Sequence, residues 1–413
     1  MDIIIGAGAT GLSYATFTKN DFLILEADSE IGGYCKTIKQ DGFVWDYSGH
    51  FFHFRNPEFE KFICQYIEPS TILKCHKHTQ INYYGQYIDF PFQKNIHQLD
   101  KQEFIDCLYD LFENEYNKYS NFREMLYCKF GKSIAEKFLI PYNEKLYACD
   151  LNKLDTDAMG RFFPYADKND IVANFKSTKS KSYNDFFTYP EGGAIEYIKS
   201  LKHRIPDDKL AVNERVVSID VRDKKVTTTK RVLRYDNLIS TIPFPKLLQL
   251  AGVEYDETIY SWNKVLVFNL GFDAKGRDVK NNWVYFPDKE LSFYRVGYYD
   301  NIFNTQRMSL YVELGFDKNQ DIDVEFWFSK VMEDMHRAGI IDNQKLVSHH
   351  SVVMDPAYVH ITSQSVADVK VKKAMLGENN IYSIGRYGSW TYCSIEDGMA
   401  EASELSKQLS LNG

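Results

Sequence analysis

A β-branched run at Asp2 to Ile5, glycines at 6, 8 and 11 directly behind it, and two later stretches of strand–turn–helix character predict an α/β protein. Its centre is a Rossmann-like dinucleotide-binding domain, discontinuous in sequence, joined by a helical insertion domain and a second, largely antiparallel β-sheet domain. The expected boundaries are 1–73, 186–250 and 370–413 for the first, 95–185 for the helical insertion, and 74–94 with 251–369 for the second sheet.

The elements follow in order. Asp2 to Ile5 suits a buried parallel strand, and Gly6, Gly8 and Gly11 have the spacing of the dinucleotide fingerprint. Gly6 permits the tight turn, Gly8 lets backbone approach a pyrophosphate, and Gly11 lets the next helix pack closely on the strand. A second strand, Phe22 to Leu25, ends in Glu26, an acid roughly 20 residues on, where a carboxylate can hold a ribose hydroxyl pair. The same acid repels a 2′-phosphate, which disfavours an NADP-type cofactor. Gly32 to Thr37 and Gly42 to Asp46 read as glycine-marked turns beside a cofactor, with surface hairpins as the plainer alternative.

Residues 79–90 read as a hairpin with Gly85 near its turn. From Gln102 to Glu115, Phe104, Ile105, Leu108, Leu111 and Phe112 share one helical face, and further helices are expected at 121–130 and 132–140, the latter stopped by Pro141. The polar stretch 167–185 reads as a mobile loop beside a site. The chain then returns to the dinucleotide domain through a strand around Arg215 to Asp220 and another at Asn237 to Thr241. Several strands alternate between Lys264 and Leu314, and a helix is expected at 323–337. A last buried strand at Asn379 to Ile384 leads to a glycine turn, Gly385 to Gly388, and to a helix beginning near Asp397. These returns favour FAD over NAD.

Composition narrows the function classes. A chain of 413 residues can hold two or three domains, and 44% hydrophobic content argues for folded structure throughout. A formal charge of -8 gives no support to nucleic-acid or anionic-membrane binding, so any basic site is local. Aromatic residues reach 15%, enough for some rings to line a pocket for a planar or sugar ligand. The 7 cysteines are scattered without a CxxC pair, which suits reduced thiols in the cytoplasm and indicates no metal site. No apolar stretch approaches the roughly 18 residues of a membrane span, and a strand beginning at residue 2 carries the expectation of no signal peptide.

Longer runs carry a family resemblance. The start of the chain, the GGxxxT turn and the GRYG strand–turn–helix resemble flavoproteins related to amine oxidase and protoporphyrinogen oxidase. Within that group SGHFFHF at 48–54, PFQKNI at 91–96, FLIPYNEKLY at 138–147, WVYFPDKELSFYR at 283–295 and GRYGSWTYCSIEDG at 385–398 are similar to UDP-galactopyranose mutases, more nearly the eukaryotic branch. The resemblance implies interconversion of UDP-galactopyranose and UDP-galactofuranose for cell-surface polysaccharide biosynthesis, with reduced FAD whose N5 bonds to the anomeric carbon. A UDP-sugar is then the substrate and NAD(P)H a candidate reductant.

Carried over residue by residue, the resemblance implies that His50 meets the flavin and that Arg295 and Arg386 act on flavin, sugar and diphosphate. Gln93, Asn143, Tyr147, Arg161, Tyr285, Tyr358 and Tyr392 become the substrate-binding set. Cofactor contacts are Gly6, Gly8, Gly11, Glu26, Gly33, Thr37, Gly49, Val216, Gly385 and Asp397. The residues alone leave alternatives open. An arginine flanked by aromatics, as Arg295 is, can also stack or pair with a carboxylate, and His50 and His53 can be structural. Tyr147 stands where the eukaryotic branch usually has tryptophan, Phe90 replaces a tyrosine, and His53 resembles the bacterial branch. The competing activities are an FAD-dependent oxidoreductase of the amine oxidase type acting on another ring substrate, and non-catalytic flavin or nucleotide binding.

Overall fold

The computed structural model describes residues 1–176 and 186–411. Asp2–Ile5 lies in the middle of a five-stranded parallel sheet, flanked on one side by Asn237–Ser240 and Ile381–Ser383 and on the other by Phe22–Leu25 and Leu210–Ala211. Its residues are all buried, as expected of a parallel strand covered on both faces, and that explains the uninterrupted apolar run. The fingerprint helix Ala9–Phe17 packs on this sheet against the C-terminal helix Ile395–Leu411. Residues from the beginning, middle and end of the chain therefore meet in one layer.

A second sheet has eight strands. Its main path runs Leu346–Met354, Ser261–Phe272, Ser309–Asp317, Arg295–Tyr298, Trp283–Tyr285, Thr79–Tyr83, Gln86–Asp89. Neighbours are antiparallel except Trp283–Tyr285 against Thr79–Tyr83. Side chains alternate across it with the two-residue period of a pleated strand. Leu266, Phe268, Val312 and Leu314 pack under the helix Val324–Arg337 through Val331 and Met335. Val265, Val267 and Tyr311 point the other way, into the core shared with the parallel sheet. That second face carries Arg295 and its cross-strand neighbour Glu313.

The insertion is helical, and it departs from expectation in its details. Lys101–Phe112 is capped by Asp100, whose carboxylate accepts from the N–H groups of Gln102 and Glu103. It buries Cys107 and Leu111, while Ile105 and Phe112 stay exposed, so the core-facing stripe is narrower than the apolar pattern. Helix Phe122–Ile134 is broken at Gly131, whose positive φ of 74° brings it against Asp110 backbone, where no Cβ would fit. The chain continues through a π-helical turn, Ala135–Leu139, into Ile140–Tyr147. Pro141 thus begins a helix, where the sequence predicts that it ends one, since its missing N–H is harmless in a first turn.

Of the loop expected at 167–185, Lys168–Asn174 is a helix capped by Asp167, and residues 177–185 lie outside the described residues. The glycine turns at 37–46 form an antiparallel hairpin, Thr37–Gln40 with Phe43–Asp46, whose Phe43 and Trp45 are buried; the hairpin alternative holds there, in the core and not at the surface. Gly385–Gly388 is a single helical turn.

Candidate functional site

A cavity of about 1350 Å³ runs between the two sheets and under the insertion. That exceeds the roughly 300–1,000 Å³ of a pocket for one drug-sized ligand, so it can take two ligands end to end. At one end stand Gly6, Gly8, Glu26 and Gly33; Gly49, His50, Phe90, Asn143, Arg161, Arg295, Gly385 and Arg386 line the rest.

The first end fits a dinucleotide. Gly6 has a φ of 102°, and a Cβ on Gly11 would sit 2.0 Å from the Gly6 carbonyl oxygen, so both must be glycine for the helix to start this close to its strand. A Cβ on Gly8 would project into open space, and one on Gly33 would meet Gly8 Cα at 3.7 Å, so these two glycines lie against each other and leave the space beside Gly8 open. No side chain caps the N-terminus of Ala9–Phe17, whose N–H groups remain for a phosphate. Glu26 accepts from Ala7 N at 2.8 Å and Asp28 N at 2.9 Å, which fixes its carboxylate at the cavity wall. A dinucleotide bound there would have its pyrophosphate held by Gly6, Gly8, Gly33 and the helix N-terminus and a ribose held by Glu26.

Away from the dinucleotide end, two arginines are held in different ways. Arg295 makes a two-pronged ion pair with Glu313, Nε to Oε2 at 2.6 Å and Nη2 to Oε1 at 2.8 Å. Glu313 is wholly buried, and Ser48 donates its hydroxyl to the same carboxylate. The arginine therefore pairs with a carboxylate, as the plainer reading allowed, and lines the cavity as well. Arg386 donates Nη1 to the Cys393 carbonyl at 3.1 Å and lies over the rings of Tyr392 and Tyr358, at 4.6 and 5.2 Å, which stack on each other 5.8 Å apart. Among the described residues it has no carboxylate partner. Its positive charge is therefore open to an anion.

His50 turns Nδ1 to the Ser48 carbonyl at 3.1 Å, and burial, with the two arginines nearby, pulls it down to about 4. It is neutral at physiological pH, with Nδ1–H donating and Nε2 bare. Burial pushes the hydroxyls of Tyr285 and Tyr358 above their ordinary range, so both stay protonated donors. Asn143 is buried with Nδ2 donating to Leu139 O at 2.6 Å and Oδ1 without a partner, which leaves an acceptor at the cavity wall.

Other expected residues stand off the wall. Gln93 is fully buried and donates to the Pro164 carbonyl. Tyr147 is buried behind Tyr358, its ring 6.1 Å away edge-on. Thr37 donates to Asp46 Oδ1 at 2.5 Å and so braces the hairpin. Val216 belongs to a small antiparallel sheet with Lys225–Thr228 and packs into the core. Gly11 acts through packing, and Asp397 pairs with Arg161. Glu313 and Ser48 escape a reading of the sequence, because only the strand register that sets Arg295 opposite Glu313 reveals them.

Comparison with known proteins places this architecture. A family model described as flavin containing amine oxidoreductase matches residues 9–405. A crystal structure of reduced UDP-galactopyranose mutase superposes with a TM-score of 0.92 at 23% identity, covering 100% of this chain and 96% of the other. A provisional protoporphyrinogen oxidase from Exiguobacterium sp. 255-15 gives 0.80 at 15% identity, covering 100% and 99%. A CLA-producing fatty acid isomerase from P. acnes gives 0.67 at 15%, covering 98% of each chain. At these identities the likeness is one of fold.

Proposed function

The chain belongs to the flavin containing amine oxidoreductase family, and from that premise we propose that it is a flavin-dependent sugar-nucleotide mutase interconverting UDP-galactopyranose and UDP-galactofuranose with reduced FAD. The observation that carries this reading is the placement of Arg295 and Arg386 in the cavity that begins at the dinucleotide cradle. Bound reduced FAD supplies a nucleophile for the anomeric carbon, so the reaction closes without net oxidation.

The protein's part is position and charge. As the bond from sugar to UDP breaks, negative charge grows on the diphosphate, and preorganised cations aimed at it lower the barrier. Arg295 spends Nε and Nη2 on Glu313 and keeps Nη1 for a ligand. Arg386, held between a carbonyl and two rings, brings the open charge. Tyr285 and Tyr358 add hydroxyl donors, and the bare oxygen of Asn143 takes a donor from nucleotide or sugar. Phe90 and Tyr142 line the cavity with their rings against Tyr285, 5.0 and 5.1 Å away. We place the enzyme in the cytoplasm, where its free cysteines stay reduced and a nicotinamide nucleotide is at hand to reduce the flavin.

Incubating dithionite-reduced protein with UDP-galactose tests the proposal directly. The expected product is the furanose isomer, seen by chromatography and NMR, with no consumption of electrons. No furanose from UDP-galactose, together with turnover of an amine or another ring substrate by oxidised flavin and an acceptor, would replace it with the oxidoreductase reading.

A further inference from the structure

The resemblance assigns Arg161 to substrate and Asp397 to cofactor, yet the structure joins them. Arg161 Nη2 donates to both carboxylate oxygens of Asp397, each at 2.7 Å, and to Ser394 Oγ at 3.1 Å. Asp397 lies in the first turn of the helix Ile395–Leu411, where its carboxylate also accepts from the N–H and the hydroxyl of Ser394, each at 2.8 Å. Ser394 Oγ accepts in return from Asp397 N at 3.1 Å, a reciprocal helix cap.

The arrangement is asymmetric. Arg161 and Ser394 line the cavity and Asp397 does not, so the guanidinium has the cavity on one side and a carboxylate on the other. The Phe162 ring lies 4.4 Å from the guanidinium and meets Tyr392 edge-on at 5.1 Å, which keeps Arg161 beside the cavity whichever anion it holds. The two side chains are 31 and 36% exposed, and ion pairs at such exposure are weak enough to change partner readily. Asp397 keeps its two Ser394 donors when Arg161 leaves, so its carboxylate stays hydrogen-bonded at a partly exposed site.

From this geometry we infer that Asp397 is the resting counter-charge of Arg161 and that the diphosphate of an entering ligand replaces it. Asp397 is then a positioning residue that sets affinity through Arg161. A diphosphate offers several anionic oxygens to the planar guanidinium and outcompetes one carboxylate. The inference rests on the reading of this cavity as a nucleoside-diphosphate site.

Calorimetric titration of the flavin-loaded protein with UDP, inorganic pyrophosphate and uridine tests it, with the flavin-to-protein absorbance ratio checking the loading. Asp397→Asn keeps the shape and removes the charge, and it should tighten UDP and pyrophosphate by up to about fivefold while leaving uridine unchanged. In an Arg161→Gln background the same substitution should add nothing. Weaker or unchanged diphosphate binding, an equal gain for uridine, or a gain that survives Arg161→Gln overturns the exchange. If Asp397→Asn loads flavin poorly, Asp397→Ser, which keeps a hydroxyl for the cap, must show the same tightening or the inference falls. Pyrophosphate binding without UDP binding leaves the exchange standing and removes the nucleotide reading. Protein that binds neither overturns the exchange, while furanose formation judges the mutase reading separately.

Discussion

The two ends of the cavity are built from different materials. At the fingerprint end the backbone does the shaping: Gly6, Gly8, Gly11 and Gly33 supply close packing, open space and a bare helix N-terminus, and the Glu26 side chain adds charge. At the other end side chains do the shaping, and they arrive from separated elements: Arg295 and Glu313 from adjacent strands, Arg386 from a helical turn, Ser48 from the segment after the hairpin. The difference teaches where each end is vulnerable. Backbone sites fail when a Cβ is added, and side-chain sites fail when a counter-charge is taken away.

Glu313→Ala probes this contrast hardest. It leaves the Arg295 guanidinium without its partner in a largely buried site, which is expected to cost about 3–5 kcal/mol of folding stability, read as a fall in the denaturant midpoint. If stability holds, the pair is not what organises the far end. Arg386→Ala comes next and should act on chemistry instead of folding, because no carboxylate is left behind. The expected loss is roughly 2–4 kcal/mol of transition-state stabilisation, read as a drop in kcat/KM with little change in Tm. A variant with full activity would take Arg386 out of the site.

At the backbone end, Gly11→Ala forces a methyl against the Gly6 carbonyl and should cost about 1–3 kcal/mol with reduced flavin content, measured by absorbance. Gly8→Ala meets no protein atom, so it should keep the fold and weaken flavin alone. Equal behaviour of the two would erase the distinction between packing and binding glycines. The mildest probe is acid. Burial lowers His50 and His53 to about 4, below the roughly 6.5 of an unfolded chain. The unfolded state takes up protons first as pH falls, so their contribution is full above about 6.5 and is lost progressively toward 4. Melting curves between pH 7 and 4.5 should fall less steeply for His50→Gln, and an unchanged slope would show that the fold does not lower His50.

The same contrast separates what the sequence makes legible from what only packing decides. The fingerprint end is legible because a glycine spacing and one acid lie within a single strand–helix–strand unit and each has one steric reason. The second sheet is legible as alternating runs, though not its parallel seam between Trp283–Tyr285 and Thr79–Tyr83, which depends on contacts some two hundred residues apart. Arg295 and Arg386 can be singled out by resemblance, but Glu313 cannot, since either acid of Ser309–Asp317, Glu313 or Asp317, looks like any other until the register is known. Tertiary context also overrides local pattern: Ile105 and Phe112 belong to an apolar helical face that the core does not reach, and Pro141 opens a helix because a π-helical turn delivers the chain to it.

The order of the parallel sheet has a consequence in time. Its central strand is made before the other four, and the edge strand Ile381–Ser383, which pairs with Asn237–Ser240, is the last of the five. The C-terminal helix that packs on the fingerprint helix is later still. During synthesis the cradle must therefore wait, half-built, until residues 381–411 have been made before it can close, and contacts this distant in sequence are slow to form. Until Ile395–Leu411 docks, the surface of Ala9–Phe17 that it will cover stays open to water and to other chains.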